Sequence, residues 1–113
     1  MRLNQIIDEL DFEVFTPGAN LDREVQSGYA SDMLSDVMGH APEHGIWVTV
    51  QVHMNIVAVA SLRSLAAILF VVGRKPDSEV LKKAESEDVV LLGTKMSAFE
   101  AIGKLFELGV KGI

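Results

Sequence analysis

Cysteine is absent from the chain. Its absence excludes disulfide scaffolds, thiolate metal sites, cysteine nucleophiles and dithiol relays. The first residues, Met1-Arg2-Leu3-Asn4, lack the apolar core of a secretory signal, so a cytoplasmic protein without redox chemistry of its own is expected. Basic residues are few: 10 Lys and Arg stand against 16 Asp and Glu, a formal charge of −6. That balance argues against nucleic-acid binding, which needs a cationic surface to neutralise phosphates. Several signatures are missing as well. There is no G-x-x-x-x-G-K-[ST] loop, since Gly103-Lys104-Leu105 lies in a helical segment and lacks the upstream glycine. No G-x-G-x-x-G follows a strand, and there is no G-x-S-x-G elbow. P-loop phosphoryl transfer, a Rossmann dinucleotide site and a hydrolase nucleophile elbow are therefore excluded on sequence.

What is present is apolar. Hydrophobic residues make up 49% of 113 residues, enough for one core and too much for disorder. A single domain spanning residues 1–113 is expected, with no repeat or linker. Charge is uneven: residues 1–45 hold nine acids and two bases (Arg2 and Arg23), whereas residues 46–113 hold seven acids and eight bases. An acidic half of this kind can orient a charged partner, although it also serves simply as a solvated face. The stretch Met54–Val72 would attract attention as a membrane span, but Arg63 sits at its middle. An arginine there costs roughly 2.5–3.5 kcal/mol on insertion scales, so no membrane association is expected. The stretch divides instead into a helix and a buried strand.

Periodicity gives the remaining elements. Asn4 is placed to cap a helix over Gln5–Leu10, followed by a strand over Phe12–Phe15 that Thr16-Pro17-Gly18 ends. Leu21–Glu24 reads as a turn and Val25–Tyr29 as a short strand. Ser31 opens a helix that runs through Met38 and ends at Gly39, with Pro42 barring continuation. From residue 46 the order is strand, helix, strand, helix, strand, helix. Its strands cover Ile46–Val50, Ala67–Val72 and Val89–Leu92, and its helices Met54–Leu62, Pro76–Ser86 and Ser97–Leu108. Ser97-Ala98-Phe99-Glu100 has the form of a capping box. This alternation predicts an α/β fold: one three-layer domain with a mostly parallel central sheet and helices on both faces. The helix over 54–62 is apolar nearly all round, which implies burial on more than one side, one of them against a second copy of the chain.

His40-Ala41-Pro42-Glu43-His44 has the H-x-x-E-H spacing of an inverted zinc-protease helix. That chemistry needs both imidazoles on one helical face, and Pro42 between them makes the helix improbable. A looser grouping of His40, His44 and His53 has no support from spacing. Neither a metal site nor a cofactor is expected. Met33, Met38, Met54 and Met96 read as core filling.

In open parallel sheets, ligands bind beyond the carboxyl ends of strands. Three such ends can be read: Gln51-Val52-His53-Met54-Asn55, Gly73-Arg74-Lys75 and Gly93-Thr94-Lys95-Met96-Ser97. The candidate ligand-binding residues are Gln51, His53, Asn55, Gly73, Arg74, Thr94 and Ser97. Glycines, amides, hydroxyls and bases in this arrangement suit a small anionic ligand, a phosphate ester or nucleotide. No acid–base pair accompanies them, so no catalytic residue is assigned and binding is favoured over turnover.

The order of these segments resembles the DRTGG domain family. The resemblance runs over roughly residues 12–108, through Glu24–Leu34, Gly45–Val50, Asn55–Ala60, Ala67–Gly73, Pro76-Asp77 and Ser97–Ala101. Where the family's Asp-Arg pair stands, this chain has Val52 and His53. Where Thr-Gly-Gly stands, it has Val72, Gly73 and Arg74, so only Gly73 of the signature is kept. The resemblance implies a fold like the N-terminal domain of HPr kinase/phosphorylase. It also implies a regulatory or ligand-sensing role without catalysis, of the kind found beside CBS pairs and in phosphotransacetylases. The function expected is that of a regulatory module acting as a homodimer. The alternatives are an adaptor docking its acidic half on a larger enzyme, and a small enzyme acting on a phosphorylated metabolite.

Overall fold

The computed structural model describes residues 1–113. The elements run α1 (Leu3–Leu10), β1 (Glu13–Val14), β2 (Ser27–Ala30), α2 (Leu34–His40) and β3 (Gly45–Thr49). They continue with α3 (Asn55–Leu62), β4 (Ala67–Phe70), α4 (Ser78–Ser86), β5 (Leu91–Gly93) and α5 (Ala98–Glu107). The sheet has the order β1-β5-β4-β3-β2. Strands β2 to β5 are parallel, and β1 joins β5 antiparallel with Glu13 opposite Gly93. The α/β architecture with a mostly parallel sheet is thus the one the alternation of segments predicts.

Every residue of β3, β4 and β5 is buried. Strands covered on both faces are apolar throughout, and their alternation sorts side chains into two layers. Ile46, Val48, Ala67, Leu69 and Leu92 pack with Leu3 and Ile6 of α1 and with Ala101 and Leu105 of α5. Trp47, Ile68, Phe70 and Leu91 pack with Val37 of α2, Ile56 and Val57 of α3, and Val80 and Ala84 of α4. Right-handed crossovers that advance in one direction from β2 to β5 must place their helices on one face, so α2, α3 and α4 share a layer. Helix α5, which follows the last parallel strand, lies on the other face with α1.

This layering accounts for the apolar helix over 54–62. Helix α3 packs on the sheet, with α2 on one side and α4 on the other. Its only strongly exposed large side chain is Leu62, at its end. The chain covers α3 by itself, so this helix gives no reason to invoke a second copy. Arg63, just past it, donates from Nε and Nη2 to the Ala41 carbonyl at 3.1 and 2.6 Å, tying the ends of α2 and α3 together. No helix is long and apolar enough to cross a membrane.

Some boundaries differ from the sequence reading for identifiable reasons. Helix α1 starts at Leu3 and encloses Asn4; Arg2 is its N-cap, with the Gln5 side chain accepting the Arg2 amide at 2.9 Å. Helix α2 starts at Leu34, because the Ser31 hydroxyl accepts the Met33 amide in a turn and the Asp32 carboxylate is drawn towards β3. Gly39 lies inside α2. The helix ends where Ala41, preceding Pro42, is forced to extended backbone. At α5 only half of the expected capping box forms: the Ser97 hydroxyl accepts the Glu100 amide at 3.2 Å, while the Glu100 carboxylate makes no return bond.

Candidate functional site

The connection leaving β4 passes over one face to α4, and the connection leaving β5 passes over the other to α5. Adjacent strands whose outgoing connections part in this way leave a crevice between their carboxyl ends, where open α/β sheets hold ligands. The chain has a cleft of about 530 Å³ at that place. Gly73, Arg74 and Lys75 line it after β4, and Gly93, Thr94, Lys95 and Met96 at the end of β5 and beyond. Leu10, Asp11, Glu13 and Phe15 close its third side.

Backbone hydrogen bonds knit the two strand ends into one wall. The Val72 amide donates to the Met96 carbonyl at 2.8 Å and the Gly73 amide to the Thr94 carbonyl at 2.9 Å, while the Thr94 amide returns to Phe70 at 3.0 Å. The Thr94 hydroxyl accepts the Met96 amide at 3.2 Å. To make this turn, Val72 and Gly73 both take left-handed backbone, with φ of 51° and 71°. Glycine adopts that conformation freely, but a β-branched residue does so only under strain. Gly93 serves a different need. The Phe15 ring lies on it, so that an added Cβ would stand 2.6 Å from a ring carbon.

The cleft carries excess positive charge. Lys75 Nζ is 3.8 Å from Glu13 Oε1. Arg74 and Lys95 are exposed and have no carboxylate partner. Facing them is Asp11, which also makes no ion pair. Two unpaired cations, with one more basic than acidic residue in the lining and backbone that an incoming group can approach at Gly73, suit an anion.

Of the residues singled out in sequence, the structure brings together Gly73, Arg74 and Thr94. It does not bring the others to them. Gln51 donates from Nε2 to the Asp32 carbonyl at 2.9 Å, and the Asp32 carboxylate accepts from Thr49 Oγ1 at 2.7 Å and from the Val50 amide at 3.0 Å. The carboxyl end of β3 is thereby tied to the turn before α2. His53 and Asn55 are exposed at the start of α3, outside the cleft, and Ser97 caps α5. Lys75 and Lys95 belong to the strand-end stretches and could have been named from them. Asp11, Glu13 and Phe15 could not, because only the antiparallel pairing of β1 with β5 brings them there. As for the histidine pair, His40 ends α2 and His44 has left-handed backbone in the turn before β3. The two do not share a helical face. His53 lies past the other end of the same strand.

Two further polar groups are coupled away from the cleft. Tyr29 Oη donates to Asp36 Oδ2 at 2.8 Å. This bond holds the Asp36 carboxyl below the ordinary carboxylate range, helped by the Ser31 and His40 side chains, and pushes the Tyr29 phenol up.

No protein-family model and no curated protein matches the sequence. Among solved structures, one likeness is to the CBS and DRTGG domains of the regulatory region of Clostridium perfringens pyrophosphatase, complexed with the activator diadenosine tetraphosphate. The TM-score is 0.75 at 19% identity, over 92% of this chain and 45% of that one. The match is one of fold. This chain spans less than half the length of that structure, and the neighbour is a regulatory region, not a catalytic one.

Proposed function

We propose that the chain is a non-catalytic, ligand-sensing regulatory module of the DRTGG type, cytoplasmic and homodimeric. Its cleft between β4 and β5 takes a small anionic ligand, a phosphate ester or nucleotide. The observation that carries this reading is the pair of unpartnered cations, Arg74 and Lys95, on two strand ends joined at the crevice of the sheet. The one hydroxyl in the lining, that of Thr94, accepts the Met96 amide, and no His, Ser or Cys accompanies it, which favours binding over nucleophilic turnover. The likeness to a regulatory region bound to a dinucleotide activator supports both the role and the ligand class. An adaptor role for the acidic half has less support, because Asp22, Asp32 and Asp36 are each bonded within the chain.

A thermal-shift screen against nucleotides and phosphorylated metabolites tests the reading. A ligand at 100 times its Kd adds roughly 2.7 kcal/mol of stability. Arg74→Ala is expected to abolish the shift of any such ligand. Binding that calorimetry finds unchanged in Arg74→Ala, or a screen in which no anion stabilises the protein, would overturn it.

A further inference from the structure

We propose that the cleft selects phosphate esters of hydroxyl-bearing sugars, free or within a nucleoside, over bare oxyanions, and that the Asp11 carboxylate is the group that selects them. The inference rests on the anion reading above and says which anion. The cleft is divided by charge. Its cations, Arg74, Lys75 and Lys95, stand on the turns that leave β4 and β5. Its carboxylates, Asp11 and Glu13, stand at the end of α1 and on β1. One pair meets across the divide, Lys75 Nζ with Glu13 Oε1 at 3.8 Å. Asp11 lines the same cleft and makes no ion pair with any of the three cations.

This arrangement states what an occupant must carry. An ionised carboxylate accepts hydrogen bonds and cannot donate them. A bare oxyanion held at Arg74 and Lys95 therefore meets only repulsion from Asp11. An ester does better if its phosphate lies on the cations and its carbon skeleton offers O–H groups to Asp11. The acidic wall then becomes a contact, through hydrogen bonds to a charged acceptor. An acidic residue holds the ribose hydroxyl in dinucleotide sites by the same chemistry. Size agrees: about 530 Å³ lies in the range of small-molecule pockets and leaves room beyond a phosphate group. The backbone presents Asp11 for this role. It caps the end of α1 in left-handed conformation, with φ of 55°, and its amide donates to the Ile7 carbonyl. Its carboxylate is exposed and makes no hydrogen bond within the chain, whereas that of Glu13 is already beside Lys75.

Calorimetry on the full chain at low salt tests the proposal. The probes are sulfate, ribose 5-phosphate, the four ribonucleoside 5′-monophosphates and the 2,3-dideoxy counterpart of each ester. Sulfate resembles the phosphate group but carries no O–H. At least one hydroxylated ester is expected to bind about tenfold or more tighter than sulfate, and about tenfold tighter than its own dideoxy counterpart. Ribose 5-phosphate against the nucleotides tells a free sugar from a nucleoside. Asp11→Gly removes the carboxylate and suits the left-handed backbone at this position. It should weaken the hydroxylated ester about tenfold, and leave sulfate and the dideoxy ester unchanged or tighter. A carboxylate that only repels anions or only caps the helix would show no such coupling to the ligand hydroxyls. Sulfate binding as tightly as every ester, or Asp11→Gly acting alike on all probes, would overturn this inference and leave the anion cleft standing. Probes that all fail to bind, or that bind Arg74→Ala as tightly as the wild type, would overturn the cleft itself and this inference with it.

Discussion

Val72 is a residue in the wrong conformation for its type. Its left-handed φ of 51° lets its amide reach Met96, yet its side chain is half exposed and packs on little. Left-handed backbone costs a non-glycine residue roughly 1–2 kcal/mol, against the 0.5–1 kcal/mol that glycine loses in chain entropy. Val72→Gly should therefore stabilise the protein by up to about 1 kcal/mol, seen as a higher urea midpoint at unchanged slope. A lower midpoint would mean that the Val72 side chain contributes more than its exposure suggests. The Tyr29–Asp36 hydrogen bond makes a second prediction at this scale. Asp36 has its pKa lowered on folding, so its contribution is present above the ordinary carboxylate range and lost as pH falls through the folded value. Tyr29 has its pKa raised, so its contribution is present below the ordinary phenol range and lost as pH rises through the folded value. Tyr29→Phe should move the Asp36 titration upward by NMR and flatten the stability profile on the acid side.

At the scale of elements, the strands over 46–50, 67–72 and 89–92 could be read from the sequence because interior parallel strands are apolar on both faces. Helix α5 could be read from Ser97 and its periodicity. What escaped the sequence was long-range pairing. Asp32 looked like part of a helix start, but its carboxylate belongs to the end of β3, seventeen residues on, through Thr49 and Val50. Thr49→Val keeps the shape of this buried residue and removes the hydroxyl. It should cost about 1–2 kcal/mol and loosen the segment between β2 and α2, read as faster amide exchange at Val50. Helix α3 misled in the opposite direction. Its apolar circumference suggested a second copy, whereas its neighbours in the layer are α2 and α4. Leu62→Lys, at its exposed end, should then leave both stability and association unchanged to within about 0.5 kcal/mol. A marked loss of association would return α3 to the interface.

At the scale of the whole molecule, the site was only partly legible. Sequence order located three strand ends but could not say which two flank the crevice. That depends on which connection crosses to which face, a property of the complete sheet. Gly73, Arg74 and Thr94 lie together at the cleft, while Gln51 and Ser97 lie outside it and bond to the backbone. The molecule's net charge of −6 also conceals a local cationic site. Anion binding there should weaken steeply as salt rises, since Arg74 and Lys95 are exposed and screened over about 10 Å at 0.1 M ionic strength. Affinity that is indifferent to salt would point to apolar contacts with Phe15 and Met96 as its source.

The two turns that meet at the cleft have one more consequence. Thr94 and Met96 accept the amides of Gly73 and Val72, and Ser97, the next residue, caps the helix that carries Phe99. A ligand held at the proposed cleft would therefore bear on the first turn of α5 through one short, hydrogen-bonded segment, since the Glu100 and Ala101 amides both donate to Ser97. Amide exchange at Glu100 and Ala101, compared with and without an anion, then measures how far this segment transmits occupancy of the cleft to the helix.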